Sequence, residues 1–567
     1  MPSKRQVISP GQTRGEAPPP SPQGRRAPQS LVSNRIKLAL LALILSRLIP
    51  FLSWATTAFW PVSLPDFWVP DGSTCSNLNA SQVDDSVYDG KPTGGIASTK
   101  QELSFCEDAE HLVGGWVLFS CDFNRGRWNT VMGPLEDPEP RGSLWIWDAR
   151  NGSEEEEEGP RVLSLSGYPK ERDFHPLGTA YHEGSGRLFV VNHARDASSI
   201  EVFDLVHDRV NGAWEAHYVL SLRHPLATHT PNAIVALGAT SLLVTNDHLL
   251  ARRPPRDIEQ LQATYRALSP DWLPSSLIAP LARLASNPLV ANLAPRLETI
   301  LGLGGGWVAQ LRFTDDEASA AEARLVATGI PFANGLAISP DGSTLAVAST
   351  TTPGVRMYAF TAPPSGDGWA EPLGRRRGVS YDVVSTPFAP DNVAFSRTSR
   401  SPKGKESDKT PWGGAKLVVA GHANPIQLLS LARGPYDLDN EGKKQKKASS
   451  WVVAIDVVAA IEGGESEQEE DDQAPHPALR AGMARERLVA VHPPHSSSPT
   501  SSWEYRLRTL YQGSAGSANG PGVRSSTTGL LIDEEDNPAE SEAEGKATFV
   551  VPGLYARGVM VCHGVSL

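Results

Sequence analysis

The chain has 567 residues, long enough for one large domain with decorations or for two ordinary ones. Apolar residues at 40% and charged residues at 20% exclude a fibrous protein, and 47 Pro with 50 Gly favour a turn-rich fold over a helical one. Lys+Arg of 52 against Asp+Glu of 64 leaves −12, much of it in solvated runs (Glu154 to Glu158, Glu465 to Asp472); with no basic stripe, a nucleic-acid partner is excluded.

Residues 1–35, rich in Pro, Ser, Gln and Arg, read as a disordered cytosolic tail. Residues 36–60 read as a transmembrane signal anchor around the apolar run Leu38 to Trp54, although Arg47 and Pro50 interrupt it and about 20 apolar residues are needed to span a bilayer. Arg25, Arg26, Arg35 and Lys37 precede the run. The positive-inside rule then predicts a single-pass type II protein with a luminal or extracellular body. A cleaved signal peptide is the competing reading, disfavoured by the long polar extension before the run.

The body, residues 75–567, carries four cysteines: Cys75, Cys106, Cys121 and Cys562. A Cys75–Cys562 bond would tie its two ends together, and four free thiols are the alternative. The sequons at Asn79 and Asn151 are candidate glycosylation sites for a luminal body.

Short apolar runs separated by turn signals follow. Tyr181 to Asn192 reads as strand, Gly-rich turn, strand; Leu336 to Ser349 does the same around Asp341-Gly342. With Ile234 to Asn246 and Leu417 to Gly421, these units predict an all-β sandwich, barrel or propeller. Residues 254–303 differ. Their apolar positions recur at helical spacing, so a small insert of two or three amphipathic helices is expected, serving as a lid, a membrane contact or plain packing. Low-complexity stretches near 398–412, 438–450, 464–475, 493–502 and 535–547 read as disordered loops.

Several strands run into polar residues: His193, the Asn246-Asp247-His248 triplet, and His422. Asn232, Asp391-Asn392 and Glu107-Asp108 also sit beside strands. In a propeller, such positions converge on one channel although they are distant in sequence. Amides and carboxylates without clustered His or Cys suit a hard cation such as Ca²⁺, not zinc.

The segments VVNHARDASSIEVF, PNAIVALG, LVTNDH, PFANGLAISPDG, APDNVAF and AGHANP occur in the order of similar segments in the paraoxonase/arylesterase family, which the chain resembles as a divergent member from about Cys75 to Cys562. The resemblance implies a six-bladed β-propeller with two channel calcium ions that hydrolyses small-molecule lactones and aryl esters. It implies a catalytic calcium held by Glu107, Asn232, Asn246, Asp391 and Asn392, and a ring-closing disulfide between Cys75 and Cys562. It further implies that His193 assists the attacking water and that His422 lines the pocket. Two positions depart from the family. Leu177 stands where the family has the first histidine of a pair, and His175, two residues earlier on the same face of an extended chain, is the candidate substitute. The second, structural calcium would use Asp108 and the Thr179 carbonyl, but Ala233 replaces its other carboxylate, so that ion should be weak or absent. Leu177 also motivates an alternative: a non-catalytic, calcium-stabilised propeller that binds a lipid or protein partner.

Overall fold

The computed structural model describes residues 52, 63–83, 100–150, 159–208, 212–269, 273–360, 368–371, 381–396, 411–432, 447–459, 486–490, 503–514, 521–533 and 546–566. The tail 1–35, nearly all of the anchor 36–60, Asn151 and most of the low-complexity stretches lie outside them. No helix among the described residues is long and apolar enough to cross a membrane.

The strands form a six-bladed β-propeller. Blade I begins with Cys106–His111, blade II with Pro176–His182, blade III with Pro231–Gly238, blade IV with Ala333–Ile338, blade V with Ala389–Phe395 and blade VI with Leu530–Asp533; these are the innermost strands. Blade VI is completed from the other end of the chain. Thr74–Leu78 pairs antiparallel with Val559–Ser566, Cys75 lies opposite Cys562, and the two are disulfide-bonded. A second disulfide, Cys106–Cys121, crosses the first two strands of blade I.

The second strands, such as Arg187–Asn192, Ser241–Asn246 and Leu417–His422, are buried at every position. Each is covered on both faces by neighbouring blades, which explains why they read as continuous apolar runs instead of alternating ones. The core is accordingly a set of wedges between blades. Phe189 and Val202 of blade II meet Ile234 and Val244 of blade III, and Phe119 and Trp145 of blade I meet Val550 and Val561 of blade VI.

The stretch with helical spacing folds as three helices between the second and third strands of blade III: α1 (Ile258–Leu268), α2 (Ile278–Ala285) and α3 (Pro288–Ile300). Asp257 caps α1 by accepting from the Glu259 amide; Asn287 caps α3 by accepting from the Leu289 amide, and Pro288 begins that helix. Buried Glu298 accepts from the Leu249 and Leu250 amides at 2.9 Å each, which pins α3 over the end of blade III. A fourth helix, α4 (Pro425–Ala432), follows the second strand of blade V.

Candidate metal and catalytic centre

The innermost strands place their polar residues at one level. Glu107, Leu177, Asn232 and Asn334 are each the second residue of an innermost strand, and Asp391 is the third of its own. At this level each of these strands breaks register with its neighbour: between Cys106 and Asp108, Pro176 and Thr179, Pro231 and Ile234, Ala333 and Leu336, and Pro390 and Val393. A break of this kind frees the residue from the ladder and re-aims its side chain. Phe105 and Phe332, two residues before Glu107 and Asn334, adopt left-handed φ of 55° and 54°, a strained entry for bulky residues.

Glycines let the strands crowd together. A Cβ at Gly335 would lie 2.4 Å from Asn392 Cα, and one at Gly178 would lie 2.4 Å from the Asn232 carbonyl oxygen. Neither position accepts a side chain without moving backbone.

The ring is polar and incompletely paired. Asn392 Nδ2 donates to Glu107 Oε1 at 3.1 Å, and Asn334 Nδ2 donates to Asp391 Oδ1. Glu107 Oε2, Asn232 Oδ1, Asn334 Oδ1 and Asn392 Oδ1 are buried without a hydrogen-bond partner. Burial raises the Glu107 pKa well above the usual carboxylate range, and the neighbouring charges of Asp108 and Asp391 raise it further. Among the described residues, no group of three or more His, Cys, Asp or Glu is placed to hold a metal. The donor set here is different in kind: two carboxylates and three amide oxygens, the chemistry that calcium accepts.

Above the ring lies a cavity of about 130 Å³. Glu107, Leu177, Asn232, Asn334, Asp391 and His422 form its floor, and apolar residues of α3 and α4 wall it, among them Pro295, Ile300, Leu428 and Leu429. Through the ring, the opposite end of the channel opens to a second space bordered by Asp108, Thr179, Ala233 and Thr528.

Asn246 does not belong to this ring. It ends the second strand of blade III, opposite Pro231 in register, one strand removed from the channel. Its Oδ1 accepts from the Thr230 amide at 2.9 Å and its Nδ2 donates to the Leu226 carbonyl at 3.1 Å, so its amide is spent on a loop. Asn334 stands in its place. The sequence carried a signal for it: Asn334-Gly335 repeats, in blade IV, the Asn-small pattern of Asn232-Ala233 in blade III.

The histidines also redistribute. His193 and His175 are buried but neither lines the cavity. Both His193 ring nitrogens are engaged, Nδ1 with Thr130 Oγ1 at 2.5 Å and Nε2 with the Pro231 carbonyl at 2.8 Å, and burial pushes its pKa down to about 4. With both nitrogens engaged, His193 has no free ring nitrogen facing the cavity. His175 Nδ1 meets buried Asp122 Oδ2 at 2.9 Å. His422 is the histidine in the cavity. Its Nε2 lies 3.0 Å from Asp391 Oδ2, while Nδ1 is buried and unpartnered. Since a carboxylate only accepts, Nε2 carries the proton in that contact.

At the opposite end, Asp108 is fully engaged. Its Oδ2 accepts from the Thr179 amide (2.8 Å) and hydroxyl (3.1 Å), and its Oδ1 from the Ala109 amide (2.9 Å) and Thr528 hydroxyl (3.0 Å). Protein donors therefore occupy the group expected to hold a second ion. Asn79 is exposed, as glycosylation would require.

The chain matches no known protein-family model and no curated protein. Among solved structures it is similar to a gluconolactonase from Xanthomonas campestris, at 11% identity and a TM-score of 0.32 over 88% of this chain and 98% of that one. It is also similar to the periplasmic gluconolactonase of Pseudomonas aeruginosa (13% identity, TM-score 0.29, 75% and 92% of the two chains). A third is a putative 6-phosphogluconolactonase from Bacteroides uniformis (9%, 0.29, 72% and 87%). At such scores these likenesses carry no functional argument.

Proposed function

We propose that this propeller hydrolyses lactones or carboxylic esters with the help of one calcium ion seated in the polar ring. The observation that carries the reading is the set of four buried oxygens, from Glu107, Asn232, Asn334 and Asn392, left unpaired on the innermost strands of blades I, III, IV and V. Buried unpaired acceptors are costly, and such a group of them is a site that awaits a cation. Asp391 completes the set. When bound, Ca²⁺ would neutralise the two carboxylates and supply a Lewis acid for a substrate carbonyl oxygen.

The chain's own residues do the rest. Apolar side chains of α3 and α4 hold the acyl or ring carbons and exclude bulk water. Asp391 orients His422 through Nε2, and Nδ1 accepts a proton from the water that adds to the acyl carbon. The acyl C–O bond then breaks, and the proton passes from His422 to the leaving alkoxide oxygen. Leu177 enlarges the apolar floor where the resembled family has a histidine, and His422 makes that histidine unnecessary.

The same proposal keeps the propeller in an oxidising compartment behind the apolar segment at Leu38 to Trp54, which suits two disulfides and an exposed sequon. The test is metal content of the purified chain, with turnover of a δ-lactone and of phenyl acetate before and after chelation. Stoichiometric calcium, activity lost on chelation and restored by calcium, and loss on His422→Ala are expected. Full activity after chelation would sink the calcium dependence. Chelation that lowers the melting temperature of a chain with no turnover would instead support the non-catalytic binding propeller that Leu177 allows.

A further inference from the structure

A deeply buried arginine lines the cavity, and the proposed reaction does not use it. Arg125 sits in the turn after the second strand of blade I, its amide donating to the Asp122 carbonyl at 2.9 Å. It lines the cavity beside Glu107 and is only 5% exposed. Its Nη2 donates to the Pro176 carbonyl at 3.3 Å, a long bond, and its Nε is buried without a partner. Arginine is rarely buried this deeply without an anion, since a desolvated guanidinium with free donors is expensive.

The charge balance of the cavity identifies what is missing. On the reading proposed above, on which this inference rests, Glu107 and Asp391 are neutralised by one divalent cation. Arg125, whose charge otherwise acts on Glu107, is then left without a carboxylate of its own, with half-buried Arg296 of α3 also on the cavity wall. Much of the remaining wall is apolar (Val131, Met132, Ile300, Leu428, Leu554), with Asn129, Thr299, Thr350 and Thr351 as its uncharged polar members. A planar guanidinium with a free Nε edge matches a carboxylate better than any neutral group.

We propose that Arg125 is a specificity-determining residue that binds a carboxylate on the substrate, so that the natural lactone or ester is an amphipathic acid: an apolar body with an anionic group. A neutral substrate leaves the guanidinium unpaired and binds more weakly, the penalty that buried polar recognition imposes on the analogue lacking its group.

The experiment uses the calcium-saturated full chain and a matched pair of unreactive probes, octanoate and octanamide, titrated by calorimetry. Octanoate should bind at least about tenfold tighter than octanamide, the scale of one charge-assisted hydrogen-bonded contact. Arg125→Met should erase that preference with octanamide affinity unchanged, and Arg125→Lys, which keeps the charge but not the fork, should retain part of it. With a carboxylate-bearing lactone, Arg125→Met should raise KM and leave kcat nearly unchanged. Equal binding of the two probes by the unaltered chain overturns the inference. So does a preference for octanoate that survives in Arg125→Met, because calcium or Arg296 would then be reading the charge. Melting curves of both variants verify folding, and the Lys variant carries the test if the Met variant does not fold. Because binding is read without turnover, a chain that selects octanoate yet hydrolyses nothing refutes the hydrolase and keeps the anion site; a hydrolase indifferent to the charge does the reverse.

Discussion

Glu107 and Asp108 are neighbours on one strand, equally buried, and chemically alike, yet they serve opposite ends of the channel. Asp108 receives four hydrogen bonds from Thr179, Ala109 and Thr528. Glu107 receives one at its carboxylate, from Asn392, and its other oxygen faces the ring alone. Burial raises both pKa values, that of Asp108 to about 6 with hydrogen bonds holding it down, whereas added carboxylate charges push Glu107 further. The difference separates a carboxylate that staples blades I, II and VI from one left half unpaired. Burial alone does not distinguish them; the count of donors does.

The largest way to break this comparison is Asp108→Ala. Removing the acceptor strands several buried donors, which should cost about 3–5 kcal/mol in chemical denaturation while calcium affinity stays near that of the unaltered chain. A mild effect on stability with loss of metal would mean the two acids had been assigned the wrong way round. Glu107→Gln should do the converse. Calcium affinity by titration should fall about 100-fold, roughly 2.7 kcal/mol, with no loss of stability in metal-free buffer because Gln keeps an oxygen to accept from Asn392.

Acid should attack a third region, the blade II–III junction. Burial holds His193 and His229 neutral, with pKa values near 4. Between their unfolded and folded values the unfolded chain binds more protons, so stability is complete above pH 6.5 and lost as pH falls towards 4. Between pH 7 and 5 each imidazole should remove about 2 kcal/mol, read as a falling denaturation midpoint. A midpoint flat across that range contradicts their burial. The smallest effect is Asn246→Ala. It should cost about 1–2 kcal/mol from backbone groups left unpaired, with calcium content intact; loss of calcium would return Asn246 to the ring in place of Asn334.

Much of the fold was legible in the residues. Apolar runs broken by Gly-rich turns announced an all-β fold, leaving sandwich, barrel and propeller open, and a shift to helical spacing announced the insert that holds α1, α2 and α3. The site was legible only in part. Glu107, Asn232, Asp391 and Asn392 were identifiable beside strands, but Asn246 and Asn334 both follow the rule of an amide at a strand terminus, and the rule cannot tell a second strand from an innermost one. Arg125 and the Cys106–Cys121 bond gave no local signal, since the turn and ladder that place them involve no special spacing.

Sequence by itself determined which segments become strands and which atoms are available as oxygen donors, because periodicity and side-chain chemistry are local properties. Only the closed ring decided which of those oxygens meet. Register breaks at five innermost strands, and glycines at 178 and 335 that let backbones approach, turn residues from separate blades towards one axis. That convergence is a product of long-range packing between blades, which no window of the chain contains.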